Sequence, residues 1–438
     1  MIQDIINLLV TPTSILAISF AVFLVFRMPL AFAIAISSVL FFVVDGKSSF
    51  IIPIQKMVVA SQNPALLAVP FFVLAGNLMN AAGITKRLIY FCSTVTAHMI
   101  GGLAQVTVLL SAVMGGISGS AIADVAMQSK ILGPAMLKKG YKKGFVAASI
   151  GMSGLITATI PPSIGLILYG FVGEVSIGRL FLAGIIPGFL LTVFLMITVS
   201  IVSRKSGYVK EQDHVTPLPE IKDAFLKCYW AILFPVLLIV SIRMGIFTPS
   251  EAGSFAVVYA FLVGRFAYKE LDFKKIVEVL NDTVIDNAVI MLIISFSGIF
   301  GYIIVDNKIP QSLSESILSV TNNPHLLLAL TLIFLAIIGM FMEATVNVLL
   351  LTPIFLPIVT GVGIDPVHFG ILMMTIITLG GMTPPVGIAM FTACSILDCP
   401  TKDYVRSSVP FFIAIVLLII VLAVFPQLVL FLPDLAYG

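Results

Sequence analysis

Apolar runs alternate along the chain with short polar stops, at 5–26, 29–44, 58–80, 177–202, 228–246, 249–267, 281–304 and 409–432. A membrane-spanning helix needs about 20 apolar residues. Most of these runs approach that length; 29–44 and 228–246 fall a little short. Two blocks between them, 102–173 and 325–397, read differently. In the first, residues 102–114 are apolar and are followed by Gly115-Gly-Ile-Ser-Gly-Ser120. A helix of that length rises about 20 Å, short of a hydrocarbon core about 30 Å thick. The pattern predicts a re-entrant hairpin, with 121–137 returning to the side of entry. A helix over 144–157 then breaks at Thr157-Ala-Thr-Ile-Pro-Pro162 and resumes to 173. The second block follows the same plan: 325–338 in, a turn at Gly339–Thr345, 346–360 out, then a helix at 366–379 broken at Gly380–Pro385.

The two blocks match at a constant offset. Gly116, Ala121, Val125, Pro134, Gly140, Pro161, Pro162 and Pro187 stand 223 positions before Gly339, Ala344, Val348, Pro357, Gly363, Pro384, Pro385 and Pro410. Most of these are Gly or Pro, which set backbone shape rather than hydrophobicity. Duplicated helix breaks in an apolar chain predict a secondary transporter built from two repeats.

Composition narrows the class. Of 438 residues, 59% are hydrophobic and 10% charged, against about 25% charged in soluble domains. A mean hydropathy of +1.15 implies a polytopic membrane protein. The net charge of +3 is too small to imply a nucleic-acid partner. Cys92, Cys228, Cys394 and Cys399 show no metal or disulfide spacing and read as free thiols. The first apolar run lacks a basic leader and reads as a retained helix.

Cytoplasmic loops carry the Lys/Arg excess. Lys138, Lys139, Lys142 and Lys143 follow the first hairpin, whereas Thr360–Val367 after the second holds no Lys or Arg. The first hairpin therefore opens to the cytoplasm, the second to the opposite side, and the repeats are inverted. Counting crossings places the 204–227 loop inside and both termini outside, in the periplasm. The chain then divides into scaffold helices (1–57), a first repeat (58–203), a cytoplasmic linker (204–227), further scaffold helices (228–267) and a second repeat (268–438). The first repeat holds an interfacial arm 82–100, hairpin 102–137, broken helix 144–173 and helix 177–202. The second holds arm 305–323, hairpin 325–360, broken helix 366–397 and helix 409–432. The fold expected is all-α, with an elevator-type movement of the hairpins and broken helices against the scaffold. Arg27 reads as an interfacial anchor and Glu251 as a helix-capping acid.

Unpaired backbone groups inside a bilayer cost several kcal/mol each unless protein or a cavity satisfies them. A small hard cation bound by oxygen fits two hairpin tips and two breaks. Candidate Na⁺ ligands are Gly115, Ser118, Ser120, Ala158 and Thr159 in the first repeat. In the second they are Gly339, Glu343, Thr345, Gly381, Met382 and Thr383. Half-helices restarting at Pro162 and Pro385 point positive dipole ends at the same space, which favours a carboxylate. Candidate substrate contacts are Gly119, Asp124, Pro161, Pro162, Ser163, Ala344, Pro384 and Pro385. Each charge crossing 100 mV is worth about 2.3 kcal/mol, so a monoanion entering a negative interior needs at least two Na⁺.

The runs Met114–Asp124, Leu132-Gly-Pro-Ala-Met136 and Lys139-Gly-Tyr141 resemble the large membrane subunit of tripartite ATP-independent periplasmic (TRAP) transporters. So do Ile160-Pro-Pro-Ser163 with Tyr169-Gly170, Thr248–Ala252 and Thr383-Pro-Pro-Val-Gly387. The resemblance covers essentially the whole chain. It implies an elevator-type, Na⁺-coupled importer of organic anions in a bacterial inner membrane. It also implies a periplasmic substrate-binding protein and a small four-helix membrane subunit as partners. Sialic acid, a C4-dicarboxylate or a keto acid would each fit.

Two other readings stand beside this one. A stand-alone Na⁺/carboxylate symporter could share the architecture. Gly116-Ile-Ser-Gly119 also matches the G-x-S-G string of intramembrane serine proteases. That chemistry needs a His base facing the serine, and His98, His214, His325 and His368 all fall at predicted helix ends or loops. The chain is therefore read as a transporter without catalytic residues.

Overall fold

Helix starts and stops follow local chemistry throughout the computed structural model, which describes residues 11–26, 28–46, 49, 51–320 and 323–437. Arg27 and the first ten residues, on which the N-terminal side assignment rests, lie outside the described residues. The described residues form helices and no strand.

In chain order the helices are α1 (Pro12–Val25), α2 (Leu30–Asp45), α3 (Ile51–Ser61), α4 (Ala68–Ala81) and α5 (Ile84–Thr96). The first hairpin and broken helix are α6 (Gly102–Ser118), α7 (Ala121–Lys138), α8 (Lys143–Thr159) and α9 (Ile164–Val172). Then come α10 (Ile177–Lys205), α11 (Leu218–Arg243), α12 (Pro249–Leu262), α13 (Phe273–Asp306) and α14 (Ile309–Val320). The second set is α15 (Pro324–Gly339), α16 (Ala344–Gly361), α17 (Pro366–Gly380) and α18 (Ile388–Leu397), followed by α19 (Thr401–Val424) and α20 (Gln427–Tyr437).

Side-chain oxygens cap many of the starts. Ser163 accepts from Leu166 N–H at the start of α9, and Ser176 from Arg179 N–H at the start of α10. Asp365 accepts from Val367 and His368 N–H at the start of α17. Thr248 and Glu251 form a reciprocal capping box on α12, with Thr248 N–H donating to Glu251 Oε2 at 2.7 Å.

Among the described residues five helices are long and apolar enough to cross a membrane: α10, α11, α13, α16 and α19. Two bent pairs bring the number to seven: α4 with α5, at 70°, and α8 with α9, at 45°. Leucine, isoleucine and valine side chains point outward along these helices, among them Ile197, Val236, Val240, Val284, Ile285, Ile413 and Leu417. Such apolar faces suit lipid rather than water.

The run 58–80 is not one span. Gln62, Asn63 and Pro64 end α3 before a short 3-10 turn and α4. The first hairpin also turns later than expected. α6 continues through Gly115 and Gly116 to Ser118, leaving Gly119 and Ser120 as the turn. The two earlier glycines serve close packing: a Cβ on Gly115 would lie 2.9 Å from Ile160 Cβ, and one on Gly116 would lie 2.7 Å from Pro235 Cβ.

The two broken helices make the centre. α8 is buried from Gly144 to Thr159, and α17 from Val367 to Gly380. They touch each other, and their other neighbours are reciprocal. α7 packs on α18, and α16 on α9; α8 packs on α19, and α17 on α10. Lys143 at the start of α8 pairs with Asp398 just past α18, at 3.1 Å. Tyr169 near the end of α9 donates to Pro366 O at the start of α17, at 2.6 Å. A second cluster joins α1 and α2 to α13 and α16 through Leu16, Ile34, Phe41, Phe300 and Val346. Arm α5 buries Ile84, Leu88 and Cys92 on one face. From the same helix Arg87 pairs with Glu270 at 2.9 Å.

Candidate ion and substrate site

Each hairpin tip rests on a helix break. Gly119 adopts φ +60°, and a Cβ there would lie 2.2 Å from Pro162 O. Only glycine lets the tip backbone meet the break so closely. Ser120 caps α7 by accepting Ala123 N–H at 3.4 Å. Gly115 faces Thr157 and Ile160, and Gly116 approaches Pro161 O. The first-repeat candidates Gly115, Gly119, Pro161 and Pro162 therefore share one junction. Thr159 turns its hydroxyl back to Leu155 O, at 2.9 Å, while its carbonyl faces Gly184 of α10. Ser163 is buried as the cap of α9. Ala158 lies in the last turn of α8, also buried.

This junction is rich in oxygen without donors. A helix end leaves its last carbonyls unpaired. Those of Gly116–Ser118 and Thr157–Thr159 accept no backbone N–H from beyond their own helices among the described residues. The Ser118 hydroxyl is buried and has no partner among the described residues. Asp124 is fully buried, and its Oδ2 accepts from Thr157 Oγ1 at 2.7 Å, Ser111 Oγ at 2.8 Å and Gln128 Nε2 at 2.9 Å. Its Oδ1 and Gln128 Oε1 have no partner among the described residues. Asp124 faces polar side chains of α6, α7 and α8 rather than backbone at the tip or an open space. The buried set fits a hard cation, which would engage the orphaned acceptors.

The second junction has the same shape and different satisfaction. A Cβ on Gly339 would lie 2.6 Å from Ile377 O, and one on Gly380 2.6 Å from Gly339 C. Glu343 caps α16 by accepting Thr345 N–H at 2.9 Å, and Ala344 and Thr345 open that helix, half-buried. Here four carbonyls are taken. Gly381 O accepts Ala389 N–H, Met340 O accepts Gly387 N–H, and Met382 O accepts the Tyr404 hydroxyl, each at 3.0 Å. Thr383 bonds Gly380 O through both its N–H and its hydroxyl, at 2.9 Å. Asn347, the partner of Asp124 in the offset, donates to Met342 O at 3.0 Å.

The junctions meet through Met382, whose Cε would lie 3.4 Å from a Cβ on Gly154 of α8. Both double prolines are joined by cis peptide bonds. Pro161–Ser163 are buried, whereas Pro384–Val386 are exposed. Ser111, Gln128, Ser153 and Tyr404 were not among the sequence candidates. Gln128 carries a signal, standing four residues after Asp124 on one helix face; Tyr404 carries none.

Interrupted apolar helices whose broken ends converge at the centre define a polytopic membrane transporter. Residues 17–428 match the family described as "Tripartite ATP-independent periplasmic transporter, DctM component". The chain belongs to this family, as one component of a three-part transporter. It is 35% identical to the sialic acid TRAP transporter large permease protein SiaM of Vibrio cholerae, over 94% of this chain and 96% of that one. It is 34% identical to the C4-dicarboxylate TRAP transporter large permease protein DctM of Pseudomonas aeruginosa, over 86% and 88%. It is 33% identical to the 2,3-diketo-L-gulonate TRAP transporter large permease protein YiaN of Escherichia coli, over 86% and 88%. In fold it is similar to the YdaH transporter of Alcanivorax borkumensis, with a TM-score of 0.57 at 13% identity, over 86% and 87% of the two chains.

Proposed function

We propose that this chain is the carrier subunit of a Na⁺-coupled importer of an organic acid anion in a bacterial inner membrane. A periplasmic binding protein delivers the anion, and a small four-helix subunit braces the scaffold. The observation that carries the Na⁺ reading is the cluster of buried, donorless oxygens where the first hairpin tip meets the first break. Gly116–Ser118 and Thr157–Thr159 offer carbonyls, with Ser118 Oγ and Asp124 Oδ1 nearby in sequence and unpartnered. The second junction satisfies more of its own carbonyls, so it is the weaker of two Na⁺ positions.

The relatives named above handle sialic acid, a C4-dicarboxylate and 2,3-diketo-L-gulonate. Sialic acid and C4-dicarboxylates are carboxylates, which supports a carboxylate cargo here. The reciprocal packing of the two broken helices, with the start of each beside the far half of the other, supports inverted repeats. Lys138, Lys139, Lys142 and Lys143, around the turn between α7 and α8, support a cytoplasmic side for that end of α8. Gly-lined contacts between hairpin tip and break support moving them as one block, against a scaffold centred on α1, α2, α11 and α12.

The test is reconstitution of the complex with its small subunit and binding protein. Uptake should follow an inward Na⁺ gradient and stop when K⁺ replaces Na⁺. Uptake that ignores the Na⁺ gradient would sink the coupling. Uptake at full rate without the binding protein would instead favour a stand-alone symporter.

A further inference from the structure

The second break opens onto a cavity of about 450 Å³. Exposed Pro384 and Pro385, apolar Met390 and Phe391, and the cations Lys402 and Arg406 line it. Lys402 and Arg406 stand one turn apart at the start of α19, so both side chains lie on one face. Both are exposed, and neither has an ion-pair partner among the described residues. Among the described residues no acid lines the space. The nearest acids in sequence do not neutralise it: Asp398 is paired with Lys143, and Asp403 lies outside the lining. Two uncompensated cations beside an apolar wall make a cavity that concentrates anions. Its volume falls within the range of about 300–1,000 Å³ typical of small-molecule sites.

We infer that this cavity is the release station for the carried anion, with Arg406 and Lys402 holding its carboxylate and Met390 and Phe391 contacting its carbon skeleton. The inference rests on the carrier reading above. Under that reading α18 runs from mid-membrane to the cytoplasm, so the cavity faces inward. Arg can grip a carboxylate in a two-pronged contact, and Lys adds a point charge. Both cations are solvent-exposed, so the hold is weak, as release requires.

The test uses the full complex carrying Thr401→Cys, a position on the cavity lining; the four native cysteines are buried. The reporter thiol is reacted with an anionic methanethiosulfonate (the sulfonatoethyl reagent) and a cationic one (the trimethylammonioethyl reagent). Replacing Lys402 and Arg406 by Gln should lower the anionic-to-cationic rate ratio by about three- to tenfold, screening included. Lys402→Gln with Arg406→Lys, which keeps one of the two charges, should lower the ratio by about half as much on a logarithmic scale. An unchanged ratio in the double Gln variant overturns the inference. Uptake of N-acetylneuraminate, succinate and 2,3-diketogulonate is measured in parallel. The double Gln variant should slow transport of the accepted anion severalfold while leaving the Na⁺ half-saturation unchanged. Normal transport by that variant also overturns the inference but leaves the carrier reading intact. Failure of the unmodified complex to take up any of the three under a Na⁺ gradient removes the carrier reading, and with it the cargo assigned to the cavity.

Discussion

Gly119→Ala should damage Na⁺ binding through geometry alone. Gly119 has φ +60° and Gly140 has φ +84°, so alanine at either position pays the left-handed penalty, about 1–2 kcal/mol. The two sites differ in space. A Cβ on Gly140 meets nothing within 4 Å, whereas one on Gly119 would lie 2.2 Å from Pro162 O. Real Cβ contacts stay beyond 3.0 Å, and the obstacle is backbone, so the tip must retreat from the break by the better part of an ångström. If that junction holds the cation, its carbonyl oxygens no longer converge. A tenfold rise in the Na⁺ half-saturation corresponds to about 1.4 kcal/mol, well within what such a displacement removes. Gly140→Ala should lower the melting temperature slightly and leave Na⁺ dependence unchanged. Gly119→Ala should lower it further and raise the Na⁺ half-saturation at least about tenfold (the 1.4 kcal/mol step). The assay is Na⁺-dependent uptake in proteoliposomes, with thermal unfolding in detergent alongside. Equal Na⁺ half-saturation in the two variants would refute the placement of the ion at this junction.

Three further outcomes follow from the same geometry. Asp124→Ala should destabilise by about 1–3 kcal/mol, because it strips the acceptor from buried Thr157, Ser111 and Gln128; Asp124→Asn should recover much of that in thermal unfolding while still losing Na⁺ coupling. Tyr404→Phe removes the donor to Met382 O and should cost about 0.5–1.5 kcal/mol in a thermal or denaturant titration; no loss would mean that carbonyl is satisfied otherwise. Gly76 lies on α4, which packs on scaffold helix α12, and a Cβ there lies 3.5 Å from Ser118 Cα, so cysteines introduced by Gly76→Cys and Ser118→Cys should crosslink hairpin tip to scaffold. That bond should arrest transport until reduced, and continued turnover in the crosslinked carrier would count against a moving hairpin.

Much of the architecture was legible in the chain. Pro161-Pro162 and Pro384-Pro385 fix both helix breaks because proline supplies no N–H and its ring clashes with the preceding turn. The capping box at Thr248 and Glu251 is visible as a local string, and the structure forms it. The glycines were harder. Gly115 and Gly116 read as part of a turn, yet they lie inside α6, where the missing Cβ admits Ile160 and Pro235. A local pattern cannot separate a glycine needed for a turn from one needed for a close approach.

The candidate site shows the same division. That carbonyls would be left open at the helix breaks follows from local backbone chemistry, and the duplicated motif tells the reader to look in two places. Which of them remain open depends on chain brought in from elsewhere. Tyr404 reaches Met382 O from the next helix, and Ala389 N–H reaches Gly381 O across the break, while among the described residues nothing comparable reaches Gly116–Ser118. Asp124 finds Ser111 and Thr157 on two other helices. Composition, helix interruption and offset are one-dimensional properties, because bilayer length, proline geometry and capping act over a few residues. Hydrogen-bond satisfaction inside an apolar protein is set by whichever distant donor packs against the group, so the difference between the two junctions belongs to the tertiary structure.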